Sequence, residues 1–375
     1  MFRKAFAAYV AVSSLSAVAA AQTAAPAAQT VQAQTPTQTQ CALPSVADSV
    51  DLKEIPGTNL LTVPVKINGT DKEFLLDIGT NLTEVSHATV SQLALPDVSK
   101  APSDYANWYP GVDIYKEMTG KANFDMNVTT QAAYFNVKSA TSDQHYRPRV
   151  RVASFAMGDG TGHNLVFVVA KDEEMGKAKS KPYDGLMTGD FFRQYDVELY
   201  PAVKKLSYLT PTNCTDPLQI AYWPHKEVAV IPMTVEDDGR MHVQVMVQGH
   251  VINAVIDTSS DHTVMRRGVA EQMLGFSADK DMKPDGSRVD GMGQQIYIHT
   301  FPQITFAGGV VAVNVPTDIQ NYTMIHDLNR TPVLGSRATF SNAPDIPDLT
   351  LGMDVLQQLH LLIAPGRKNI YVTQE

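Results

Sequence analysis

Two aspartates in similar surroundings are the residues most suited to do chemistry together. Asp77 and Asp257 each follow an apolar stretch, and each precedes small or polar residues. Two carboxyl groups held close together cannot both ionise easily, so they share one proton and titrate as a pair. The ionised member can then take a proton from a water molecule while the protonated member polarises a carbonyl group. This chemistry requires a fold that brings both residues to one place.

The sequence around each aspartate forms a repeated unit. A lone aspartate at a strand end is usually a turn residue. Residues 63–86 and 243–265, however, share one plan: an alternating strand, a tight turn, and a second apolar strand that ends at the aspartate. Apolar residues at helical spacing predict a short helix after each unit. The repetition indicates an internal duplication.

A second pair of segments closes each half. Residues 190–208 and 354–372 match without a gap at an aspartate, a glutamine, a proline and a lysine: Asp190 and Asp354, Gln194 and Gln358, Pro201 and Pro365, Lys204 and Lys368. Each segment predicts a short helix, a strand, a proline-bearing turn and a last strand. The two aspartates are predicted to be helix N-caps. The order of both repeats predicts two similar β lobes.

Composition limits the classes of protein that fit. The chain has 375 residues, of which 44% are hydrophobic and 18% charged, as in globular proteins of two domains. The formal net charge is −9, without a block of Lys or Arg long enough to follow a phosphate backbone. We therefore expect no nucleic-acid partner. No G-x-S-x-G or H-E-x-x-H motif occurs, which disfavours serine and metal hydrolases.

The motifs resemble those of a known family. A strand ending in Asp-Ile-Gly-Thr-Asn or Asp-Thr-Ser-Ser-Asp, followed later by Gly-Leu-Met-Thr-Gly-Asp or Leu-Thr-Leu-Gly-Met-Asp, resembles the two-lobed single-chain form of the retropepsin-like and pepsin-like aspartic peptidases. The resemblance covers roughly residues 48–373. It implies an all-β fold of two homologous lobes with short helices and a cleft between them. It also implies an aspartic endopeptidase that binds an extended peptide or protein substrate in the cleft.

The resemblance assigns roles to individual residues. Asp77 and Asp257 would be the catalytic dyad that activates a water molecule. The active-site turns would contain Ile78, Gly79, Thr80, Asn81, Thr258, Ser259 and Ser260, and the supporting positions would be Thr188, Gly189 and Gly352. No metal or other cofactor is implied. A monomer suffices, because both halves of the site lie in one chain.

Three positions depart from the family pattern. The family has Thr or Ser after each aspartate; Thr258 keeps this hydroxyl, but Ile78 cannot form a hydrogen bond. Ser259 stands where Gly is usual, which predicts a strained backbone torsion. Thr188 aligns with Gly352, where a glycine is expected. These departures keep an alternative open: a catalytically impaired relative that binds extended peptides.

The N-terminal residues predict export. Residues 1–21 have a basic start, an uncharged small-apolar stretch and an Ala-Ala-Ala cleavage site, as in a signal peptide. We expect a periplasmic or secreted protein without stable membrane insertion after cleavage. Residues 22–47, rich in Gln, Thr, Ala and Pro, predict a disordered tether. An N-terminal lobe over 48–209, a linker over 210–226 and a C-terminal lobe over 227–375 follow.

Cys41 and Cys214 are the two cysteines of the chain. In an exported protein such a pair is more often bonded than free, so they are a candidate disulfide. A metal site at these cysteines is not supported, because no histidine lies near either one with ligand spacing.

The connecting segments differ between the halves. Residues 95–150 form a longer stretch than their counterparts 276–299 and carry many aromatic residues. These aromatics fit equally a flap that lines a peptide groove and the packing of a local hairpin. Residues 289–298 predict the flap hairpin of the second lobe. The glycine-rich residues 158–162 predict a hairpin turn rather than a phosphate loop, since a strand follows.

Overall fold

The computed structural model describes residues 41–79, 83–98, 148–170, 183–191, 195–236, 239–278, 280–290, 293–321 and 347–373. The predicted signal peptide, the tether up to residue 40, most of the aromatic-rich insertion, and Thr80 and Asn81 lie outside these residues.

Strands of the first half close into a barrel. The elements of the first half, not all of which belong to the barrel, are β1 (Ser45–Asp51), β2 (Lys53–Glu54), β3 (Leu61–Ile67), β4 (Thr70–Asp77), β5 (Glu84–Val85), α1 (His87–Leu93), β6 (Arg149–Met157), β7 (Gly160–Val169), β8 (Gly185–Thr188), β9 (Asp196–Tyr200) and β10 (Lys205–Thr210). The order β3-β4-β8-β5-β7-β6 returns from β6 to β3, so no edge remains open in this ring.

Strands of the second half repeat this arrangement. Its elements are α2 (Pro217–Ile220), β11 (Ala229–Val235), β12 (Met241–Val247), β13 (His250–Ile256), β14 (Thr263–Arg266), α3 (Arg267–Gln272), β15 (Lys283–Val289), β16 (Gln295–Phe306), β17 (Val311–Gln320), β18 (Leu349–Leu351), α4 (Met353–Leu356), β19 (His360–Ala364) and β20 (Asn369–Thr373). The order β12-β13-β18-β14-β17-β16 closes from β16 to β12. The prediction of an all-β fold with two homologous lobes and short helices is confirmed. None of the described helices has the length and apolar character needed to cross a membrane.

The tight turns predicted before each aspartate are present. Asn68 and Gly69 have φ of 50° and 80°, and Gln248 and Gly249 have φ of 49° and 82°. Positive φ at both central residues matches the right-handed twist of the flanking strands. Each hairpin therefore returns the chain into the barrel so that β4 and β13 end at equivalent places.

A third sheet joins the two lobes. Its order is β1-β10-β9-β19-β20-β11, and β9 of the first half pairs with β19 of the second. The repeated proline turns lie here: Lys204 and Lys368, which follow them, both adopt left-handed backbone with φ of 57° and 54°. The matched segments at the end of each half are thus the paired strands that hold the lobes together.

The glycine-rich turn of the first lobe is filled by a carboxylate of the same chain. Residues 158 and 159 connect β6 to β7, so the hairpin prediction is confirmed. Asp48 accepts hydrogen bonds from the backbone N–H groups of Asp159 and Gly160, both at 3.2 Å. A Cβ on Gly158 would lie 2.6 Å from the Asp48 carboxylate, which requires glycine there. The turn therefore binds the Asp48 side chain through its backbone N–H groups.

A hairpin is also present where the second-lobe flap is predicted. β15 and β16 pair from Lys283 with Ile298 to Val289 with Gln295. Arg288 makes two parallel hydrogen bonds with Asp318 on β17, at 2.9 and 2.8 Å. Such bidentate pairs fix orientation as well as distance. The hairpin is thereby attached to the barrel near its tip.

The short segment that begins the described chain is attached at both of its ends. A disulfide joins Cys41 to Cys214, and the N–H of Ala42 donates to Asn213 Oδ1 at 2.8 Å. β1 then begins at Ser45 and pairs with β10. Residues 45–47, which the predicted tether includes, thus lie in a strand of the structure.

A buried polar cluster lies where the linker crosses the joining sheet. His360 Nε2 lies 2.7 Å from Glu198 Oε1, and Tyr222 donates to Glu198 Oε2 at 2.6 Å. The His360 ring is stacked between Tyr200 and Trp223, with centroids 4.0 and 3.9 Å away. Burial raises the pKa of Glu198, but the hydrogen bonds from His360, Tyr222 and Ser207, together with the charge interaction with His360, outweigh it, so this pKa lies below its ordinary value.

Glu198→Gln should lower the free energy of unfolding by about 1–3 kcal/mol at neutral pH, because a buried charged acceptor with two donors is lost. The loss depends on pH in a defined direction. Because the pKa of Glu198 is lowered in the folded state, its ionised form stabilises that state fully at pH values above the ordinary pKa of 4.5. This stabilisation is lost as the pH falls through the lowered pKa.

Urea unfolding of the wild type and the variant between pH 3 and 7 measures this difference. Glu54→Gln, which removes an exposed carboxylate from the surface pair with Lys204, is the control and should change stability little. A difference between wild type and Glu198→Gln that stayed constant below pH 4 would contradict the assignment.

Candidate active site

Asp77 is the last residue of β4 and is buried. β4 runs parallel to β8, and Asp77 lies opposite Thr188 in this pairing. The N–H of Gly79 donates to Asp77 Oδ1 at 3.1 Å. The first turn therefore holds one oxygen of its own carboxylate.

Asp257 follows β13 at the equivalent position of the second lobe and is half-buried. Its N–H donates to Leu351 of β18 at 3.1 Å. Ser259 donates to Asp257 Oδ1 twice, from N–H at 2.8 Å and from Oγ at 2.7 Å. The backbone bond repeats that of the first lobe, whereas the hydroxyl bond has no equivalent at Gly79.

Thr258 bonds the two turns to each other. Its Oγ1 accepts a hydrogen bond from the N–H of Ile78 at 3.0 Å and donates to the carbonyl of Leu76 at 2.8 Å. Thr258 is only 1% exposed, so these groups have exchanged water for each other. Ile78 lacks a hydroxyl and packs in the hydrophobic core instead. Among the described residues of the two turns, this side-chain cross-link comes from Thr258 in the second turn.

The backbones of the two turns are in contact. A Cβ built on Gly79 would lie 3.0 Å from the carbonyl oxygen of Ile256 and 3.3 Å from Asp257 Cα. The fold therefore brings the turns of both predicted aspartates together. Thr80 and Asn81, predicted for the first turn, are outside the described residues.

The expected backbone strain at Ser259 is absent. Neither Ser259 nor Gly79 has φ in the left-handed region. The prediction is wrong because it assumed that the glycine usual at position 259 is needed for a left-handed φ. At Gly79 the reason for glycine is the close approach of the other turn, not its φ.

The supporting positions are filled differently in the two lobes. Thr188 lies 3.0 Å from Thr83, Oγ1 to Oγ1, and its N–H donates to the same hydroxyl at 3.3 Å. In the second lobe the N–H of Gly352 donates to Thr263 Oγ1 at 3.2 Å. A Cβ on Gly352 would lie 2.4 Å from the carbonyl oxygen of His262, so only glycine fits there. Gly189 begins the short 3-10 turn after β8.

Sequence reasoning missed Thr83 and Thr263, although a signal for them exists. Each lies the same number of residues after its aspartate, at corresponding positions of the repeat. Their hydroxyls take equivalent places beside β8 and β18. The repeats that predict the two lobes already align these threonines, but sequence reasoning gave them no role in the site.

Asp354 has a different role from the one predicted. The N-cap of α4 is Gly352, and Asp354 lies in the first turn. Its carboxylate accepts from Thr263 N–H at 3.0 Å and from Thr263 Oγ1 at 2.7 Å. Burial raises the pKa of Asp354 against these bonds. The residue ties α4 to the strand that follows the second turn.

A second contact crosses between the lobes. Asn59, in the first lobe, donates from its N–H to Asp261 Oδ1 at 2.7 Å and from Nδ2 to the Asp261 carbonyl at 3.3 Å. Within the second lobe, the N–H of Met353 donates to the Ser260 carbonyl at 2.8 Å. No sequence motif marks Asn59. Its partner is distant in sequence and is seen only in the fold.

The pair of turns can therefore present two carboxylates to a common space. Each carboxylate has Oδ1 held by the N–H two residues further along. Such fixed donors favour a defined orientation for each group. Two orientated carboxyl groups on touching turns are the arrangement that shared-proton chemistry requires.

No protein-family model and no curated protein matches this chain. Among solved structures, basic 7S globulin from soybean is similar at 12% identity and a TM-score of 0.44, covering 88% of this chain and 95% of the globulin. Conglutin gamma, a basic 7S globulin from lupine seeds, gives 10% identity, 88% and 95% coverage, and a TM-score of 0.43. A retropepsin-like aspartic protease from Rickettsia conorii gives 18% identity and a TM-score of 0.28, covering 40% of this chain and 96% of the protease. These similarities are too distant to assign an activity.

Thr258→Val should destabilise the protein by about 1–3 kcal/mol, because it leaves the buried N–H of Ile78 and carbonyl of Leu76 without this partner at nearly constant volume. Thr258→Ser keeps the hydroxyl and should recover most of the loss. Chemical denaturation of both variants measures the difference. Equal stabilities of Thr258→Val and the wild type would contradict the role of this cross-link.

Proposed function

We propose that this protein is an exported aspartic endopeptidase that hydrolyses peptide bonds with the Asp77 and Asp257 dyad and an activated water. The observation that carries the proposal is the contact between the two active-site turns at equivalent ends of β4 and β13. A single aspartate at a strand end would be a turn residue. Two, on touching turns of duplicated lobes, form an acid–base pair.

The proposed reaction uses the two carboxyl groups in different protonation states. The ionised member accepts a proton from water as the oxygen attacks the peptide carbonyl. The protonated member donates a hydrogen bond to the carbonyl oxygen and stabilises the negative charge that develops there. The proton then passes to the leaving nitrogen as the C–N bond breaks, and the pair returns to its shared-proton state.

The proposed substrate is an extended peptide or protein segment. Extended chains bind to β-lobed sites through backbone hydrogen bonds, with side chains in alternate pockets. The β15–β16 hairpin supports this mode, because Arg288 and Asp318 attach it to the barrel while Val289 keeps an exposed apolar side chain near its tip.

A second candidate is a catalytically impaired relative that binds extended peptides. The observation that favours it is Ile78, which has no hydroxyl to return the cross-link that Thr258 makes to the first turn. The same cleft would then bind peptides without cleaving them. A transition-state-mimic inhibitor distinguishes the two, since a working dyad binds it far more tightly than a matched substrate peptide.

Asp77→Asn and Asp257→Asn should each abolish cleavage of a denatured-protein library by the mature protein, because one carboxyl cannot be acid and base together. Assays run from acidic to neutral pH, with cut sites read by mass spectrometry. Asp71→Asn, an exposed aspartate in the β3–β4 region paired with Lys66, is the matched control and should cleave like the wild type. Cleavage retained by either dyad variant would disprove the dyad. If the wild type cleaves nothing at any pH, the second candidate, a relative that binds peptides without cleaving them, is favoured.

We also propose removal of residues 1–21 during export, supported by the basic start and the small-residue site before Gln22. N-terminal sequencing of the protein recovered outside the cytoplasm should begin at Gln22. An Ala19→Leu/Ala21→Leu variant should retain the leader, because the cleavage site requires small residues. A mature protein that begins at Met1 would refute the proposal.

A further inference from the structure

The disulfide joins two chain segments beside the joining sheet, and its two cysteines differ in exposure. Cys214 is fully buried in a cluster with Leu209 of β10 and Leu362 of β19. Cys41 packs against this cluster and is only partly buried. A reagent in the solvent therefore has better access to Cys41 than to Cys214.

Residues 41–51, here called the latch segment, lie at the edge of the joining sheet. Strand β1 is at the end of that sheet and, among the described strands, pairs with β10. Leu43 and Val46 are 58% and 49% exposed, so their burial adds little to the attachment. Val50 is the residue of the segment that packs in the main hydrophobic core. Because β1 belongs to neither barrel, the segment can separate while both barrels stay closed.

The start of the latch segment is bound to the chain beside Cys214. The N–H of Ala42 donates to Asn213 Oδ1 at 2.8 Å, and Thr212 Oγ1 donates to the Ala42 carbonyl. The same Thr212 hydroxyl accepts from the N–H of Cys214 at 3.0 Å. These hydrogen bonds form only when Cys41 and Cys214 are neighbours, so the disulfide supports them directly.

The latch segment also contacts the first barrel through Asp48. Its carboxylate accepts hydrogen bonds from the N–H groups of Asp159 and Gly160, both at 3.2 Å, in the turn between β6 and β7. Asp48 is buried, so it shields these two N–H groups from solvent. Departure of the segment would expose a turn that is remote from it in sequence.

We propose that the Cys41–Cys214 disulfide is a redox-sensitive latch that holds residues 41–51 on the joining sheet. In the oxidised protein the segment is attached at Cys41 and continues into the fold beyond β1, so it can open only as a short closed loop. In the reduced protein the end at Cys41 is free, and the segment can fray from there. A free end gains more conformational entropy on opening than a closed loop does.

The latch opens by thiol–disulfide exchange with a dithiol such as dithiothreitol. One thiolate attacks Cys41 Sγ, the more accessible sulfur, and forms a mixed disulfide there. The original S–S bond breaks, its electron pair goes to Cys214 Sγ, and this sulfur takes up a proton. The second thiol of the reductant then displaces Cys41 Sγ, so the reductant becomes a cyclic disulfide and both cysteines become thiols. An oxidising compartment keeps the latch closed.

Hydrogen–deuterium exchange of the purified protein, with and without dithiothreitol, tests the latch. Amides of β1 should exchange about fifty- to a hundredfold faster after reduction, because opening no longer requires a closed loop of this length. The amides of Asp159 and Gly160 should lose protection with them, since Asp48 leaves the turn. Amides of β12 and β13 in the second barrel should stay protected over the same times.

Two further measurements keep the test independent of the reductant. Cys41→Ser should show the same faster exchange in β1 without dithiothreitol, and dithiothreitol should then change nothing more. Wild-type protein treated with reduced glutathione should carry the mixed disulfide on Cys41, as read by mass spectrometry of its peptides.

The outcomes are distinct from those that test the proposed function, because none of them requires peptide cleavage. Unchanged exchange of β1 in both the reduced wild type and Cys41→Ser would overturn the latch. Equal loss of protection in β12 and β13 would also overturn it, because the disulfide would then hold the whole fold and not one segment. A mixed disulfide found on Cys214 would contradict opening at Cys41.

Discussion

The arrangement of the site depends on one buried hydroxyl. Thr258 Oγ1 connects the backbone of the first turn, at Ile78 N and Leu76 O, to the second turn. In water these groups would be solvated, but here they are buried and satisfy one another. An unsatisfied backbone group in such a place costs free energy comparable to a lost hydrogen bond. The turns therefore stay together because neither barrel can satisfy these groups alone.

Two similar turns can pack closely against each other only if some of their side chains differ. Equivalent side chains that point to a common axis compete for the same space. Thr258 reaches across while Ile78 turns into its own core, and Ser259 carries a side chain where Gly79 has none. The departures that weaken the family resemblance at these positions are complementary in the structure. They make the two turns less symmetric, while both turns still carry their aspartate.

Much of the fold could be predicted from the sequence, since alternation and turn chemistry act locally. The Asn68-Gly69 turn has the torsions that its residue types favour, and Gln248-Gly249 adopts the same torsions at the equivalent place in the repeat. Contacts between remote segments could not be predicted. The Asn59 bonds to Asp261, and those of His360 and Tyr222 to Glu198, depend on barrel closure and on the pairing of β9 with β19. The Ser259 prediction failed for a third reason: a residue preference was read as a torsion, although close approach explains it.

The joining sheet attaches the two halves at a place separate from the Thr258 and Asn59 contacts near the turns. Pairing of β9 with β19 fixes the two halves to each other at a second place, and the linker is held over it by Cys214 at one end and by Tyr222 and Trp223 at the other. Two separated attachments restrict relative rotation, where one would act as a pivot. With rotation restricted by backbone pairing, the hydroxyl at the turns has only to set their separation. Because Ile78 has no hydroxyl, the first turn makes no reciprocal bond of this kind at that position, and the joining sheet supplies a further restraint on the two halves.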